Sequence, residues 1–142
     1  MYQRILVTLD HSRADEAILQ HVEKLHEFIP SEVVLLHVAD GWAARYYNDL
    51  GLKDSEEIQQ DRAYLAEVAR RLQKKGITTT THLAMGEPAD EIIKFAKENS
   101  CDLIAMSTHG HRFLADLIHG ATATKVRHHV DIPVLLLKAP KQ

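Results

Sequence analysis

The chain alternates short apolar runs with longer stretches whose apolar positions recur at helical spacing. The apolar runs predict five strands: Arg4 to Leu9, Glu32 to Val38, Thr78 to Ala84, Asp102 to Ser107, and Pro133 to Lys138. Strands that alternate with helices are typical of βαβ units, in which the strands run parallel. The pattern therefore predicts an α/β, Rossmann-like fold with an open five-stranded parallel sheet flanked by helices.

The make-up of each run indicates its place in the sheet. Ile5-Leu6-Val7 and Leu103 to Met106 are apolar at successive positions, which is typical of central strands covered on both faces. Thr78 to Thr81 are polar and β-branched, which suits an edge strand with one wetter face. Short right-handed crossovers permit the strand order 3-2-1-4-5 without requiring it, and this is the order that we expect.

The helical stretches carry their own start and stop signals. Ser12 is a suitable N-cap for the first helix, and His21 is expected to pack on that helix's apolar stripe. Pro88 fits the first turn of the third helix. The fourth helix is predicted to start near Gly120 and to end near His129.

Composition narrows the class of protein. With 142 residues, 45% hydrophobic and 26% charged, the chain has the size of one globular domain spanning residues 1–142. The N-terminus lacks a secretory signal and no apolar run reaches membrane-spanning length, so we expect a cytoplasmic protein with no membrane partner. A net charge of -3 without a Lys/Arg cluster argues against a nucleic-acid partner.

Two corners of the predicted sheet are candidates for a binding site, because ligands of open parallel sheets bind beyond the carboxyl ends of the strands. The first strand ends at Thr8-Leu9-Asp10 and the fourth at Met106-Ser107. The carboxylate of Asp10 would accept hydrogen bonds from a ribose or a purine; the alternative is a capping or turn aspartate. Gly110 and Gly120 bracket nine residues, and a glycine at a helix start favours an anion such as phosphate.

These residues belong to a series of motifs spread along the whole chain. The motifs are Ile5 to Ser12, Leu35-Leu36-His37-Val38, Gly86-Glu87-Pro88, Asp102 to Met106, Thr108-His109-Gly110, Val126, and Pro133 to Leu136. In this order and spacing they resemble the universal stress protein family. The resemblance implies a five-stranded parallel sheet and, as in many members, a homodimer joined through the last strand. Some members bind ATP through Gly-x2-Gly-x9-Gly followed by Ser or Thr.

Two residues depart from that glycine pattern. Gly110 and Gly120 match its second and third glycines, but Ser107 replaces the first and Ala121 replaces the hydroxyl residue after the third. Ser107 either narrows the cleft or hydrogen-bonds the ligand. The missing hydroxyl at Ala121, with Thr122 adjacent, costs on the order of 1 kcal/mol, about tenfold or less in affinity. Nucleotide binding is therefore expected to survive.

The resemblance implies where an adenylate would lie. ATP, AMP or another adenylate, with or without Mg²⁺, would place its adenine between Asp10 and the backbone of Val38, with Met106 and Ser107 near the ribose. Arg112 is added on chemical grounds, since a guanidinium pairs well with phosphate; its alternative is a solvated surface arginine. The predicted set is Thr8, Leu9, Asp10, Val38, Met106, Ser107, Gly110, Arg112, Gly120, Ala121 and Thr122.

Other chemistries have weaker support. Thr108 to His111 matches the T-x-G-H signature of nucleotidyltransferases, but it follows the fourth strand and not the first. The histidines form no HExxH motif or Cys/His cluster, so we expect no metal site. Without a P-loop lysine or a Mg²⁺ carboxylate set we expect no fast enzyme, which leaves room for slow ATP hydrolysis.

Two functions remain in competition. The first is a stress-response nucleotide-binding protein, a dimeric sensor or regulator in which bound nucleotide orders Trp42 to Tyr47, within the Asp40 to Asp54 loop, and changes a partner surface. The second is a dimeric interaction module of the same family that binds no nucleotide. Both use the apolar last strand, Pro133 to Leu137, whose exposed edge favours pairing with a second copy.

Overall fold

A computed structural model describes residues 1–39, 56–108 and 116–138, and of residues 116–119 the backbone alone. Strands and helices alternate along this part of the chain. They are β1 (Arg4–Leu9), α1 (Ala14–Phe28), β2 (Glu32–Ala39), α2 (Glu56–Lys74), β3 (Thr79–Met85), α3 (Pro88–Glu98), β4 (Leu103–Thr108), α4 (Asp116–His129) and β5 (Val134–Lys138). The predicted strands are all present, with ends that differ by at most one residue.

The strands form one parallel sheet in the order β3-β2-β1-β4-β5. In the register, Ile5 of β1 is opposite both Val33 of β2 and Leu103 of β4. The predicted α/β class and strand order are confirmed. The predicted edge strand is also confirmed, because β3 lies at one side of the sheet and exposes Thr80, Thr81 and His82.

The core has two layers, one on each face of the sheet. Successive side chains of a strand point to opposite faces, so Val7 and Leu35 pack with α1 and α2 while Leu6 and Ile104 pack with α3 and α4. All four side chains are fully buried. The consequence for the site is that each strand end presents one residue to each layer.

Two expectations about α1 were wrong. His21 is exposed, because the buried stripe of α1 runs through Ile18 and Val22. The N-cap position belongs to Arg13 and not to Ser12, although the Ser12 hydroxyl still accepts a hydrogen bond from the Ala14 backbone N–H at 3.2 Å.

Helix α3 begins as predicted, and helix α4 does not. Pro88 lies in the first turn of α3, which Glu87 caps by accepting a hydrogen bond from the Asp90 backbone N–H at 2.6 Å. Helix α4 starts at Asp116, four residues before Gly120. Gly120 therefore lies in the second turn, where its N–H belongs to the helical ladder. A helix tolerates an interior glycine, so the glycine did not mark the helix start.

Candidate functional site

A crevice opens where β1 and β4 separate. Their described pairing ends at Val7 opposite Ala105, although β1 continues to Leu9 and β4 to Thr108. On its other side β1 remains paired with β2 as far as Leu9 opposite His37. The chain leaves β1 toward β2 and returns as β4 on the opposite side, which makes this the switch point where open parallel sheets bind ligands.

Part of the predicted site lies on one face of this crevice. Thr8 follows Leu6 on the face covered by α3 and α4, and the side chains of Val38 and Met106 pack in that same layer. Helix α4 covers this face and carries Gly120 and the residues after it. The fold thus brings Thr8, Val38 and Met106 to the layer covered by the helix that carries the α4 residues of the predicted set, whereas Ser107 contacts α1 on the other face. Leu9, which is buried, faces the other layer.

The remaining predicted residues divide into two groups. Gly120 and Thr122 are half-buried and Ala121 is exposed, all three within α4. Gly110 and Arg112 lie outside the described residues, as does the Asp40 to Asp54 loop. Because α4 begins at Asp116, the free N–H groups of a helix start do not include those of residues 120–122.

Asp10 stands directly after β1 at the mouth of the crevice. Its backbone N–H donates to the Asp15 carboxylate at 3.0 Å, and its own carboxylate accepts a short hydrogen bond from the Ser12 hydroxyl. The turn role that the sequence left open is therefore present. A carboxylate has two oxygens with several acceptor positions, so the Ser12 contact does not exhaust its capacity.

Ser107 closes the opposite side of the crevice. Its hydroxyl donates to the backbone carbonyl of Ala14 at 3.3 Å and joins the end of β4 to the first turn of α1. Of the two roles considered for this side chain, donating a hydrogen bond to a ligand would require it to leave that carbonyl, whereas accepting one would not. A glycine at this position would remove the contact and widen the space between β4 and α1.

A buried carboxylate, Asp15, holds the corner between β1 and α1. It is 3% exposed and accepts hydrogen bonds from the backbone N–H groups of Asp10 at 3.0 Å and His11 at 2.9 Å. The hydroxyl of Tyr64 on α2 donates to the same carboxylate at 2.6 Å. Three donors satisfy a group that would otherwise be costly to bury.

Burial controls the protonation of both side chains at this corner. Loss of water raises the pKa of Asp15 from 3.8 to about 6, against the lowering effect of its hydrogen bonds from Tyr64 and the Asp10 N–H. Burial also raises the pKa of Tyr64, and the negative charge of Asp15 raises it further. Tyr64 therefore keeps its proton at neutral pH and is the donor to Asp15.

Asp15 should give the protein a specific dependence of stability on pH. Because its folded pKa is raised from 3.8 to about 6, the folded state binds more protons than the unfolded state in that interval. The Asp15 contribution is full below about pH 4 and is lost as pH rises through about 6. In urea unfolding at several pH values, the stability of the native protein relative to Asp15→Asn should fall across this window. A difference that grows with pH would contradict the assignment.

A second polar group lies beside this corner, against the opposite face of the sheet from Val38. The buried carboxylate of Asp61 on α2 contacts His11 Nδ1 at 2.7 Å and His37 Nε2 at 3.3 Å. The other nitrogen of His37, Nδ1, is 2.8 Å from the backbone carbonyl of Leu9. The His11 ring also stacks on Tyr64, with centroids 4.1 Å apart and planes 17° from parallel.

Sequence reasoning missed this group, although one signal was present. Asp61 lies on the apolar stripe of α2 between Ile58 and Leu65, and a carboxylate on a core-facing stripe requires partners in the fold. The partners themselves, His11 in the β1–α1 loop and His37 on β2, lie far away in the sequence. Their pairing with Asp61 depends on how α2 packs on the sheet.

Three further features of the described parts of the chain bear on other chemistries. Across residues 1–39, 56–108 and 116–138, no group of three or more His, Cys, Asp or Glu side chains is placed to hold a metal ion. No helix within these ranges is long and apolar enough to cross a membrane. Cys101 is buried, and burial raises the pKa of its thiol to about 11, which disfavours the nucleophilic thiolate.

The fold and the crevice define an α/β protein with an open parallel sheet and a switch-point crevice, and comparison with known proteins identifies its family. The sequence model of the universal stress protein family matches residues 1–138. The chain therefore belongs to the universal stress protein family, and the resemblance drawn from the motifs is confirmed.

Individual relatives match over nearly the whole chain. Universal stress protein MJ0577 of Methanocaldococcus jannaschii is 28% identical, with 97% of this chain and 96% of the relative aligned. The solved structure of MJ0577 has a TM-score of 0.84 at 27% identity, over 100% of this chain and 99% of that one.

Two further solved structures share the fold and contain nucleotides. The universal stress protein of Archaeoglobus fulgidus in complex with dAMP has a TM-score of 0.69 at 23% identity, covering 95% of this chain and 97% of that one. A universal stress protein in complex with cAMP has a TM-score of 0.73 at 16% identity, covering 98% and 99%. At these identities the likeness is one of fold.

Proposed function

We propose that this protein binds an adenylate, ATP or AMP with or without Mg²⁺, in the crevice beyond the carboxyl ends of β1 and β4. It acts as a dimeric sensor or regulator in the cytoplasm during stress, paired through β5. The observation that carries the proposal is the separation of β1 from β4 after Val7 and Ala105, with Asp10 and Ser107 on its two sides. A switch point of this kind is where α/β sheets bind nucleotides.

Asp10 and Val38 supply the groups that an adenine requires. A carboxylate accepts hydrogen bonds from an exocyclic amine or a ribose hydroxyl. The backbone N–H or C=O at Val38 would hydrogen-bond the edge of the adenine ring. Relatives of the same fold have been solved with dAMP and with cAMP, so the adenine nucleotide is the ligand class that this fold accommodates. The ribose would lie near Met106 and Ser107.

Gly120 supports the phosphate side of the proposal. It lies inside α4, where glycine destabilises a helix by about 1 kcal/mol relative to alanine. Apart from its chain neighbours and the backbone of its own helix, no atom of the described residues would lie within 4 Å of a Cβ at this position, so packing against them does not require glycine. Close approach of a ligand to the backbone gives a reason for it. The phosphates would extend from Gly120 toward Thr122, Gly110 and Arg112.

Replacing Gly120 with alanine should change stability and affinity in opposite directions. The free energy of unfolding should rise by about 0.5 to 1 kcal/mol, because alanine is the better helix former. The affinity for ATP should fall, because the added methyl group blocks the phosphate. Urea unfolding and calorimetric titration measure the two quantities separately. A variant that is more stable and binds ATP unchanged would remove Gly120 from the site.

Thermal unfolding with a panel of nucleotides tests the proposal. A ligand at a hundred times its dissociation constant stabilises the folded state by about 2.7 kcal/mol. ATP and AMP should therefore raise the midpoint of unfolding by several degrees, whereas GTP at the same concentration should leave it unchanged. Equal stabilisation by ATP and GTP would indicate a phosphate site that does not recognise adenine.

One observation favours the alternative, a dimeric interaction module that binds no nucleotide. The Ser107 hydroxyl already bonds the Ala14 carbonyl across the crevice, at the position where nucleotide-binding relatives are expected to have glycine. Both candidates use the exposed edge of β5, where Leu136 is 36% exposed. Oligomeric state does not separate them, so the response to ATP is the decisive property.

A further inference from the structure

The side chain of Asp61 connects helix α2 to the loop that carries Asp10. Its Oδ1 lies 2.7 Å from His11 Nδ1, and its Oδ2 lies 3.3 Å from His37 Nε2. Asp61 is 2% exposed and the His37 side chain is also buried, so their contact is shielded from water, whereas the His11 ring is partly exposed. His11 directly follows Asp10 in the chain. By holding the His11 ring, Asp61 therefore restrains the backbone next to Asp10, where the proposed adenine site lies.

The backbone of His11 needs this support. Its φ is +61°, in the left-handed region that residues with a Cβ rarely adopt. Three interactions offset the strain: the His11 N–H donates to Asp15, the ring bonds Asp61, and the ring stacks on Tyr64. Two of the three involve the ring and come from α2. These two ring contacts help to fix the direction in which the chain leaves β1, and with it the orientation of the Asp10 side chain.

His37 on β2 contacts the same carboxylate, and its two ring nitrogens face different groups. Its Nδ1 faces the carbonyl of Leu9, which only accepts, so Nδ1 carries a proton. Its Nε2 faces Asp61, and an ionised carboxylate also only accepts. Nε2 lies 3.3 Å from the second oxygen of the Asp61 carboxylate, while His11 lies against the first. His11 contacts Asp61 and stacks on Tyr64, and Tyr64 in turn donates to Asp15 on α1.

We propose that Asp61 is a positioning residue of the adenylate site, which holds the His11 ring and so directs the Asp10 carboxylate into the crevice. His37 fixes Asp61 in place by contacting its second carboxylate oxygen. This inference rests on the proposed function for its effect on affinity. The conformation of the corner is a property of the free protein and is measured without any nucleotide.

Two substitutions at Asp61 separate positioning from charge. Asp61→Ala removes both contacts, and the affinity for ATP should fall by about tenfold, the loss expected for one well-formed hydrogen bond. Asp61→Asn keeps the shape: its oxygen accepts from His11, and its amide donates to a His37 ring bare at Nε2. Affinity should therefore remain within about threefold of the native value. Glu67→Ala, an exposed carboxylate on the same helix, is the matched control and should bind normally.

Measurements on the free protein decide the inference independently of ATP. In nitrogen-15 NMR spectra the ring-nitrogen signals of His11 and His37 should shift in Asp61→Ala, which removes both contacts with Asp61. Amide exchange at Asp10 and His11 should accelerate about tenfold in Asp61→Ala, with no change at Ile104 in β4. Unchanged exchange at Asp10 and His11 would overturn the inference. Failure of the native protein to bind ATP, with the exchange result as expected, would refute the proposed function alone.

A glycine background gives a second test that does not depend on how well Asp61→Ala folds. Glycine adopts a positive φ without strain, so His11→Gly preserves the turn without the ring. In that background the further change Asp61→Asn or Asp61→Ala should alter ATP affinity by less than about twofold, because the ring it acted through is absent. An undiminished tenfold loss would show that Asp61 acts on the site by another route and would contradict positioning through His11.

Discussion

Replacing Leu35 with alanine should lower the free energy of unfolding by about 2 to 5 kcal/mol. Leu35 is fully buried in β2, where it packs in the layer between the sheet and helices α1 and α2. The truncation removes apolar contacts and leaves a cavity that a sheet paired on both sides cannot close by moving. Strand β2 is hydrogen-bonded to β1 and β3 at this position, which restricts its relaxation.

Urea unfolding followed by circular dichroism measures this loss. The control is Phe28→Ala at the end of α1, where a large apolar side chain is 82% exposed. The control should change the free energy of unfolding by no more than about 0.5 kcal/mol. If the two variants were equally stable, Leu35 would not be a core residue and the two-layer arrangement would be wrong.

Replacing Asp10 with alanine should lower the affinity for ATP by about ten- to a hundredfold. A hydrogen bond to a charged group contributes about 1.5 to 3 kcal/mol, and the adenine or ribose would lose its carboxylate partner. The substitution also removes the acceptor of the Ser12 hydroxyl, so some loss of stability should accompany it.

Asp131→Ala provides the matched control for Asp10. It removes an exposed carboxylate just before β5, away from the carboxyl ends of β1 and β4. ATP titrations of the two variants should differ by the full effect assigned to Asp10. Equal affinities in Asp10→Ala, Asp131→Ala and the native protein would leave Asp10 with its turn role alone.

The sheet was predictable from the sequence because its signals are local. Runs such as Ile5-Leu6-Val7 are apolar at successive positions, as burial on two faces requires, and the polar threonines of β3 mark an edge. The strand order followed from short right-handed crossovers together with family motifs. The position of Asp10 at the end of β1 followed from the same pattern.

The buried polar group formed by Asp61, His11 and His37 was not predictable in the same way. Asp61 and His11 are separated by 50 residues, and the contact exists only because α2 packs on the sheet next to β1. The prediction of where α4 starts was wrong for a different reason. The glycine at position 120 predicts a helix start, but the helix begins at Asp116 and continues through Gly120. A glycine within a helical pattern does not by itself distinguish the two cases.

The role of Ser107 also depended on the fold. From sequence it was a departure from a glycine pattern, with either a steric or a ligand-binding role. The structure gives it a third role, a hydrogen bond to the Ala14 carbonyl that joins β4 to α1. A serine in place of the expected glycine indicated that the crevice differs from the family pattern. Only the packing of α1 showed which atom the Ser107 hydroxyl contacts.

Calorimetric titration of the native protein with ATP in the presence of Mg²⁺ tests the central claim most directly. The crevice between β1 and β4 predicts saturable binding of one ATP per chain with micromolar affinity, and no comparable heat with GTP. Absence of heat at millimolar ATP, together with an unchanged unfolding midpoint, would contradict the nucleotide site and leave a dimeric interaction module.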